Sequence, residues 1–93
     1  MNLAFHDVEV SENVVGEFAN LSKLVTLYFY YGNLNENHLA NLSAAFIAKP
    51  GVHAKTIRVV EKDESSLSER AKEAAKEAAK MQRPTLSWEF RIE

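Results

Sequence analysis

The sequence predicts an α/β fold in which four mainly parallel strands alternate with three helices. Strand-like and helix-like segments follow one another from end to end, and such alternation calls for a mainly parallel sheet with right-handed crossovers. Two stretches also share one apolar spelling. Phe5, Val8, Val10, Asn13 and Val15 take positions 1, 4, 6, 9 and 11 of a window, and Leu24, Leu27, Phe29, Gly32 and Leu34 take the same positions of a second. Each window leads into a helix-like segment with the same four residues, Ala19-Asn20-Leu21-Ser22 and Ala40-Asn41-Leu42-Ser43. Units repeated in this way stack because none can bury its apolar face alone.

Residues 5–10 read as a first short strand, with Val8 and Val10 on one side and Asp7 and Glu9 on the other. Ser11 or Asn13 can cap a following helix by accepting from an otherwise unbonded amide. Val14, Phe18 and Leu21 share one face of that helix, which Gly16 weakens. Residues 25–31, Val-Thr-Leu-Tyr-Phe-Tyr-Tyr, are β-branched and aromatic throughout and predict the second strand. Gly32-Asn33 supplies its turn, and Asn33 or Asn35 can cap the next helix. Leu39, Leu42 and Phe46 line one side of that helix, Ile47 flanks it, and Pro50-Gly51 ends it.

Residues 56–60 predict the third strand. Ser66 and Glu69 then stand in capping-box spacing. They start a helix with Leu67, Ala71, Ala74, Ala75 and Ala78 in one stripe and alternating Lys and Glu opposite, until Arg83-Pro84 stops it. Leu86, Trp88, Phe90 and Ile92 alternate with Ser87, Glu89, Arg91 and Glu93, the pattern of a half-buried strand. These elements form one domain over residues 1–93, with no linker left over.

The apolar spacing resembles the leucine-rich repeat, L-x-x-L-x-L-x-x-N-x-L, and the helix-containing units look like its ribonuclease-inhibitor variety. Residues 5–15 keep the asparagine as Asn13, whereas Gly32 stands at that position in residues 24–34. Ala54, Ile57 and Val59 match positions 1, 4 and 6 of a third window, in which Lys62 and Glu64 replace the asparagine and the last leucine. In the final segment only Trp88 and Phe90 can be placed. The resemblance implies a partner held on the sheet face. A compact α/β sandwich with both sheet faces covered is the alternative. The apolar run at residues 25–31 favours it, because inner parallel strands buried on both faces read that way.

A hydrophobic fraction of 46% beside 26% charged residues is that of a globular chain. The net charge of −2 gives no electrostatic case for nucleic acid. The Lys/Glu helix nearly balances its signs and reads as a solvated face. No stretch approaches the roughly 18–20 apolar residues that a membrane-spanning helix needs, and the N-terminus has neither the basic start nor the apolar run of a signal peptide. Cysteine is absent, which leaves no disulfide to brace the fold and fits a cytoplasmic setting.

His6, His38 and His53 have no partner at a metal-ligand spacing and read as surface histidines. His6 and Asp7 would point to opposite faces of a strand, which argues against a dyad. No serine sits in a nucleophile-elbow pattern, and three glycines form no phosphate loop. Asn20-Leu21-Ser22 and Asn41-Leu42-Ser43 match the glycosylation acceptor pattern but fall within predicted helices. No catalytic, cofactor or metal residue is singled out.

The aromatic strand is the one constellation with a functional reading: Tyr28 and Tyr30 oppose Leu27, Phe29 and Tyr31. Packed under helices, these tyrosines are core; on a bare face, they suit an interface, because tyrosine buries large area and keeps a polar tip. The expected function is a non-catalytic protein-binding module. Its candidate partner-binding residues, opposite the core, are Asp7, Glu9, Tyr28, Tyr30, Arg58, Glu89 and Arg91. A self-associating structural domain is the second expectation, and a small enzyme without a sequence signature the third.

Overall fold

Four strands pair in chain order, all parallel: β1 (Asn2–His6), β2 (Thr26–Tyr30), β3 (Lys55–Glu61) and β4 (Leu86–Ile92). The computed structural model describes residues 1–21, 23–31, 34–49, 54–61 and 67–92. The crossovers are a 3-10 helix (Val15–Asn20), α1 (Glu36–Ala48) and α2 (Glu69–Gln82). This is the α/β architecture that the alternating segments predict.

Register aligns the apolar residues into rows. Leu3, Leu27, Ile57 and Trp88 are partners across the sheet, and Phe5, Phe29, Val59 and Phe90 form the next row. All three helices pack on this side. Val15 and Ala19 of the 3-10 helix, Leu39, Leu42 and Phe46 of α1, and Ala75 and Ala79 of α2 join Leu27, Phe29, Ile57, Val59, Leu86 and Trp88 in one cluster. Because side chains alternate along a strand, Tyr28, Tyr30, Arg58, Glu89 and Arg91 face the other way. Among the described residues no helix lies over that side.

The first strand lies earlier than residues 5–10. Leu3 and Phe5, not Val8 and Val10, meet Leu27 and Phe29, and the Phe5 ring stacks on Phe29 at 5.6 Å and tilts against Phe18 at 5.2 Å. Asp7 then turns left-handed, φ 52°, while its N–H donates to the Tyr30 carbonyl at 2.9 Å. Two apolar alternations compete in this segment, and pairing with β2 selects the one that buries aromatic rings. Val8 is left 45% exposed.

The following helix is a 3-10 turn with different buried positions. Val15 and Ala19 are buried, Val14 and Leu21 are exposed, and no side chain caps it at Val14. Neither Ser11 nor Asn13 serves as the cap. The Ser11 hydroxyl instead accepts from the Asn13 N–H at 3.3 Å, two residues along.

In α1 the expected face is buried, and Asn35 is the cap, accepting from the N–H groups of Asn37 and His38 at 2.8 and 3.1 Å. In α2 the cap is Ser68, whose hydroxyl accepts from the Ala71 N–H at 3.1 Å; Ser66 lies outside the described residues. The buried stripe is turned by about one position from the expected one. Lys72, Ala75 and Ala79 are buried, Ala71 and Ala78 half-buried, and Ala74 exposed. Alanines on both neighbouring stripes define the rotation weakly. The lysine stem settles it, packing inward with its ammonium 5.9 Å from the Phe90 ring centre and 3.6 Å from Glu69. The expected turn at Gly32-Asn33, the stop at Pro50-Gly51, and His53 lie outside the described residues.

This rotation is testable. Ala75→Leu should overpack the core and cost about 1–3 kcal/mol, whereas Ala74→Leu should stay within about 0.5 kcal/mol. Urea denaturation of the two variants distinguishes them, and equal losses would contradict the rotation.

Candidate binding face

The uncovered side of the sheet carries an ordered set of flat groups that spans three strands. His6 stacks on its register partner Tyr30 with ring centres 4.5 Å apart and planes 5° from parallel. Tyr30 stacks in turn on Tyr28, two residues back along β2, at 5.8 Å and 13°. The Arg58 guanidinium lies 5.2 Å from the centre of the Tyr28 ring. Beyond it, on β4, Glu89 receives the Arg58 Nε–H at 2.5 Å. The series runs His6, Tyr30, Tyr28, Arg58, Glu89. Parallel pairing creates it: one row of partners holds Tyr28, Arg58 and Glu89, and the next holds His6, Tyr30, Val60 and Arg91.

The charged end of the series shifts both of its titrating groups. The hydrogen bond from Arg58, helped by its charge and that of Arg91, holds the Glu89 carboxyl below its ordinary range despite partial desolvation. The same bond raises the Arg58 guanidinium further. Side chains 29% and 39% exposed place this pair in contact with water, where ion pairs contribute little stability and act more as fixed geometry. The face is therefore aromatic at its centre and charge-balanced at Arg58 and Glu89, with Arg91 exposed beside them.

Of the seven residues expected to bind a partner, five share this face: Tyr28, Tyr30, Arg58, Glu89 and Arg91. Tyr28 and Tyr30 are half-buried in the sheet surface. Asp7 and Glu9 are not part of the strand that reaches it. Both follow the end of β1, because that strand stops at His6. His6 takes the place expected for them, because it alternates with Leu3 and Phe5 along β1 and so faces away from the core.

His38 is a buried structural residue, 5% exposed, and not a surface histidine. Its Nδ1 accepts from the Asn35 N–H at 3.1 Å, and its Nε2 lies 2.5 Å from the Val10 carbonyl. The tautomer protonated at Nε2 satisfies both. Glu12 ties the same loop to α1: its carboxylate accepts from the side-chain amide of Asn35 at 2.7 Å, and its carbonyl from that of Asn41 at 2.8 Å. The side-chain bonds from Asn35 and Asn37 hold the Glu12 carboxyl below its ordinary range. These contacts anchor the loop between β1 and the 3-10 helix.

Where the strands begin, Lys55 donates to the Leu24 carbonyl at 2.5 Å, and Arg83 donates to the Phe46 carbonyl. Burial, with the Arg83 charge nearby, holds the Lys55 amine below its ordinary range. Both cations tie together main-chain segments that are distant in sequence. Among the described residues, no group of three or more histidines and carboxylates gathers to hold a metal, and no helix is long and apolar enough to cross a membrane.

The chain matches no protein-family model, no curated protein and no solved structure.

The lowered carboxyls of Glu89 and Glu12 make stability depend on pH in one direction. A carboxyl depressed in the folded state contributes stability that is present above its unfolded range and is lost as pH falls through the folded value. Glu89→Gln removes one such group, so its stability should decline less steeply with acid than that of the parent. Denaturation midpoints across the acidic limb check this; parallel limbs would contradict it.

Proposed function

We infer that the protein is a non-catalytic binding module, built like a short leucine-rich-repeat stack, that holds another protein on its open sheet face. The observation that carries this reading is the stacked series from His6 to Arg58 on a face that no described helix covers. Sequential parallel strands with all helices on one side support the repeat-like reading. Tyrosine and arginine dominate interface hot spots, and rings already held against one another lose little freedom when a partner arrives. Arg58 is already matched by Glu89, so covering that pair leaves neither of its charges isolated. A flat partner surface with aliphatic or aromatic side chains and a few acceptors for tyrosine hydroxyls fits this chemistry. A chain of net charge −2 without a cationic tract suits a protein partner better than nucleic acid. A cytoplasmic setting belongs to the same reading and rests on the absence of cysteine.

The test replaces both face tyrosines. Tyr28→Ser with Tyr30→Ser should keep cooperative folding and cost about 1–2 kcal/mol, the scale of lost stacking pairs, well short of the about 3–5 kcal/mol for each aromatic taken from a core. Peptides selected from a random library on the immobilised parent should bind the double variant about fivefold or more weaker for each tyrosine lost. Peptides that bind parent and variant equally would place recognition elsewhere. A solution mass that rises with concentration, and falls back in the double variant, would replace this reading with self-association.

A further inference from the structure

The outer edge of β4 is a second interaction surface, separate from the tyrosine face. Among the described residues, β4 pairs with β3 alone. An edge strand presents N–H and C=O groups that another chain can meet, and natural proteins blunt such edges with lysine, proline or bulges. Residues 86–92 contain no lysine or proline, and their register with β3 runs unbroken from Leu86 to Ile92. The edge is apolar toward its far end, where Phe90 is half-buried and Ile92 is 53% exposed. At the other side of the sheet, β1 offers five residues against the seven of β4.

The ladder determines which backbone groups point outward. Successive residues of a parallel strand turn their N–H and C=O to alternate sides. The Lys55 N–H donates to the Thr85 carbonyl at 2.9 Å, whereas the Leu86 N–H turns away to the Arg83 carbonyl at 2.9 Å. Lys55 is the register partner of Leu86, so Trp88, Phe90 and Ile92 also turn their backbone groups away from β3.

A second copy of this chain is the partner that matches this edge. Two β4 edges can pair antiparallel about a two-fold axis, with their outward groups meeting, when the axis falls at residue 89, 90 or 91. An axis at Trp88 would need Leu86, whose N–H is already bonded to Arg83. Axes at Glu89 or Arg91 set like charges directly opposite each other, which is destabilising. The axis at Phe90 instead sets each Glu89 opposite Arg91 of the second copy. It also places Phe90 against Phe90 and Trp88 against Ile92 on the helical side. Arg91 is exposed and makes no ion pair among the described residues. Arg58 bonds only Oε2 of Glu89, which leaves Oε1 for a second cation. Above the edge, the ammonium groups of Lys72 and Lys76 lie 5.9 and 5.6 Å from the Phe90 ring centre. Glu69 and Glu73 already pair with them, so the two α2 helices approach with these charges balanced.

We propose that the protein forms a two-fold homodimer through β4, with Phe90 on the axis and Glu89 paired to Arg91 on either side of it. Residues opposite each other in such a pair share a face, so the two sheets join into one and both tyrosine faces lie on the same side. The interface stands independently of the sheet-face reading; where that reading holds, the dimer offers a partner two such faces.

Sedimentation equilibrium from micromolar to millimolar protein tests this. The mass should rise from one copy and level at two. Arg91→Glu and Glu89→Arg should each weaken the dimer about tenfold or more, because each sets like charges opposite one another. An equimolar mixture of the two folded variants should restore it, since every facing pair is then opposite in sign. Ile92→Pro removes an outward N–H but no bond to β3; it should melt as the monomeric parent does and stay at one copy throughout. The Tyr28→Ser, Tyr30→Ser double variant should dimerise like the parent, which separates this outcome from that of the sheet face. A mass that stays at one copy, climbs past two, or still doubles in Ile92→Pro would overturn the proposal. So would a mixture of the folded charge variants that stays monomeric, or a dimer that disappears with the tyrosines.

Discussion

Burial of two apolar rows against the helices sets the geometry of everything else in this protein. Leu3, Leu27, Ile57 and Trp88, with Phe5, Phe29, Val59 and Phe90 behind them, must all face one way. A slip of one residue in any strand would turn its apolar set outward. Once that register holds, the period of two along a strand leaves Tyr28, Tyr30, Arg58 and Glu89 no choice of side. The candidate binding face is the complement of the core.

Parallel sheets are usually covered on both faces, so a bare face has to be made compatible with water. Here the rings stand against one another, the guanidinium lies on a tyrosine, and its charge is met by Glu89. Val60, between Tyr30 and Arg91 in register, is only 2% exposed. The arrangement buries the most apolar side chain of that face and leaves Tyr28 and Tyr30 half-buried. Individually such contacts are worth about 0.5–1.5 kcal/mol.

Strong local signals were legible in the sequence. The aromatic strand β2, the alternating strand β4 and the buried face of α1 could all be read from period and residue type, because each pattern has no close competitor. The first strand was not, since Leu3-Phe5 and Val8-Val10 alternate equally well and only pairing with β2 decides between them. That displacement leaves Asp7 and Glu9 beyond the strand and puts His6 on the face. The rotation of α2 escaped for a similar reason: an alanine-rich helix has two adjacent apolar stripes, and the buried stem of Lys72 selects one. His38 and Glu12 act across more than twenty residues of chain, to Val10 and to Asn35 and Asn41. No spacing rule reaches that far. The tyrosine face was legible as a pair of alternatives; no described helix packs over Tyr28 and Tyr30, which are half-buried in the sheet surface.

Hydroxyl-radical footprinting read by mass spectrometry tests that one-sided packing most directly, because it compares aromatic rings within one native molecule. The account predicts that Tyr28 and Tyr30 are oxidised readily in the folded protein, while Phe29, Phe46 and Trp88 are protected until it unfolds. Protection of Tyr28 and Tyr30 equal to that of Phe29, in a monomeric sample, would mean that the face is covered and would contradict it.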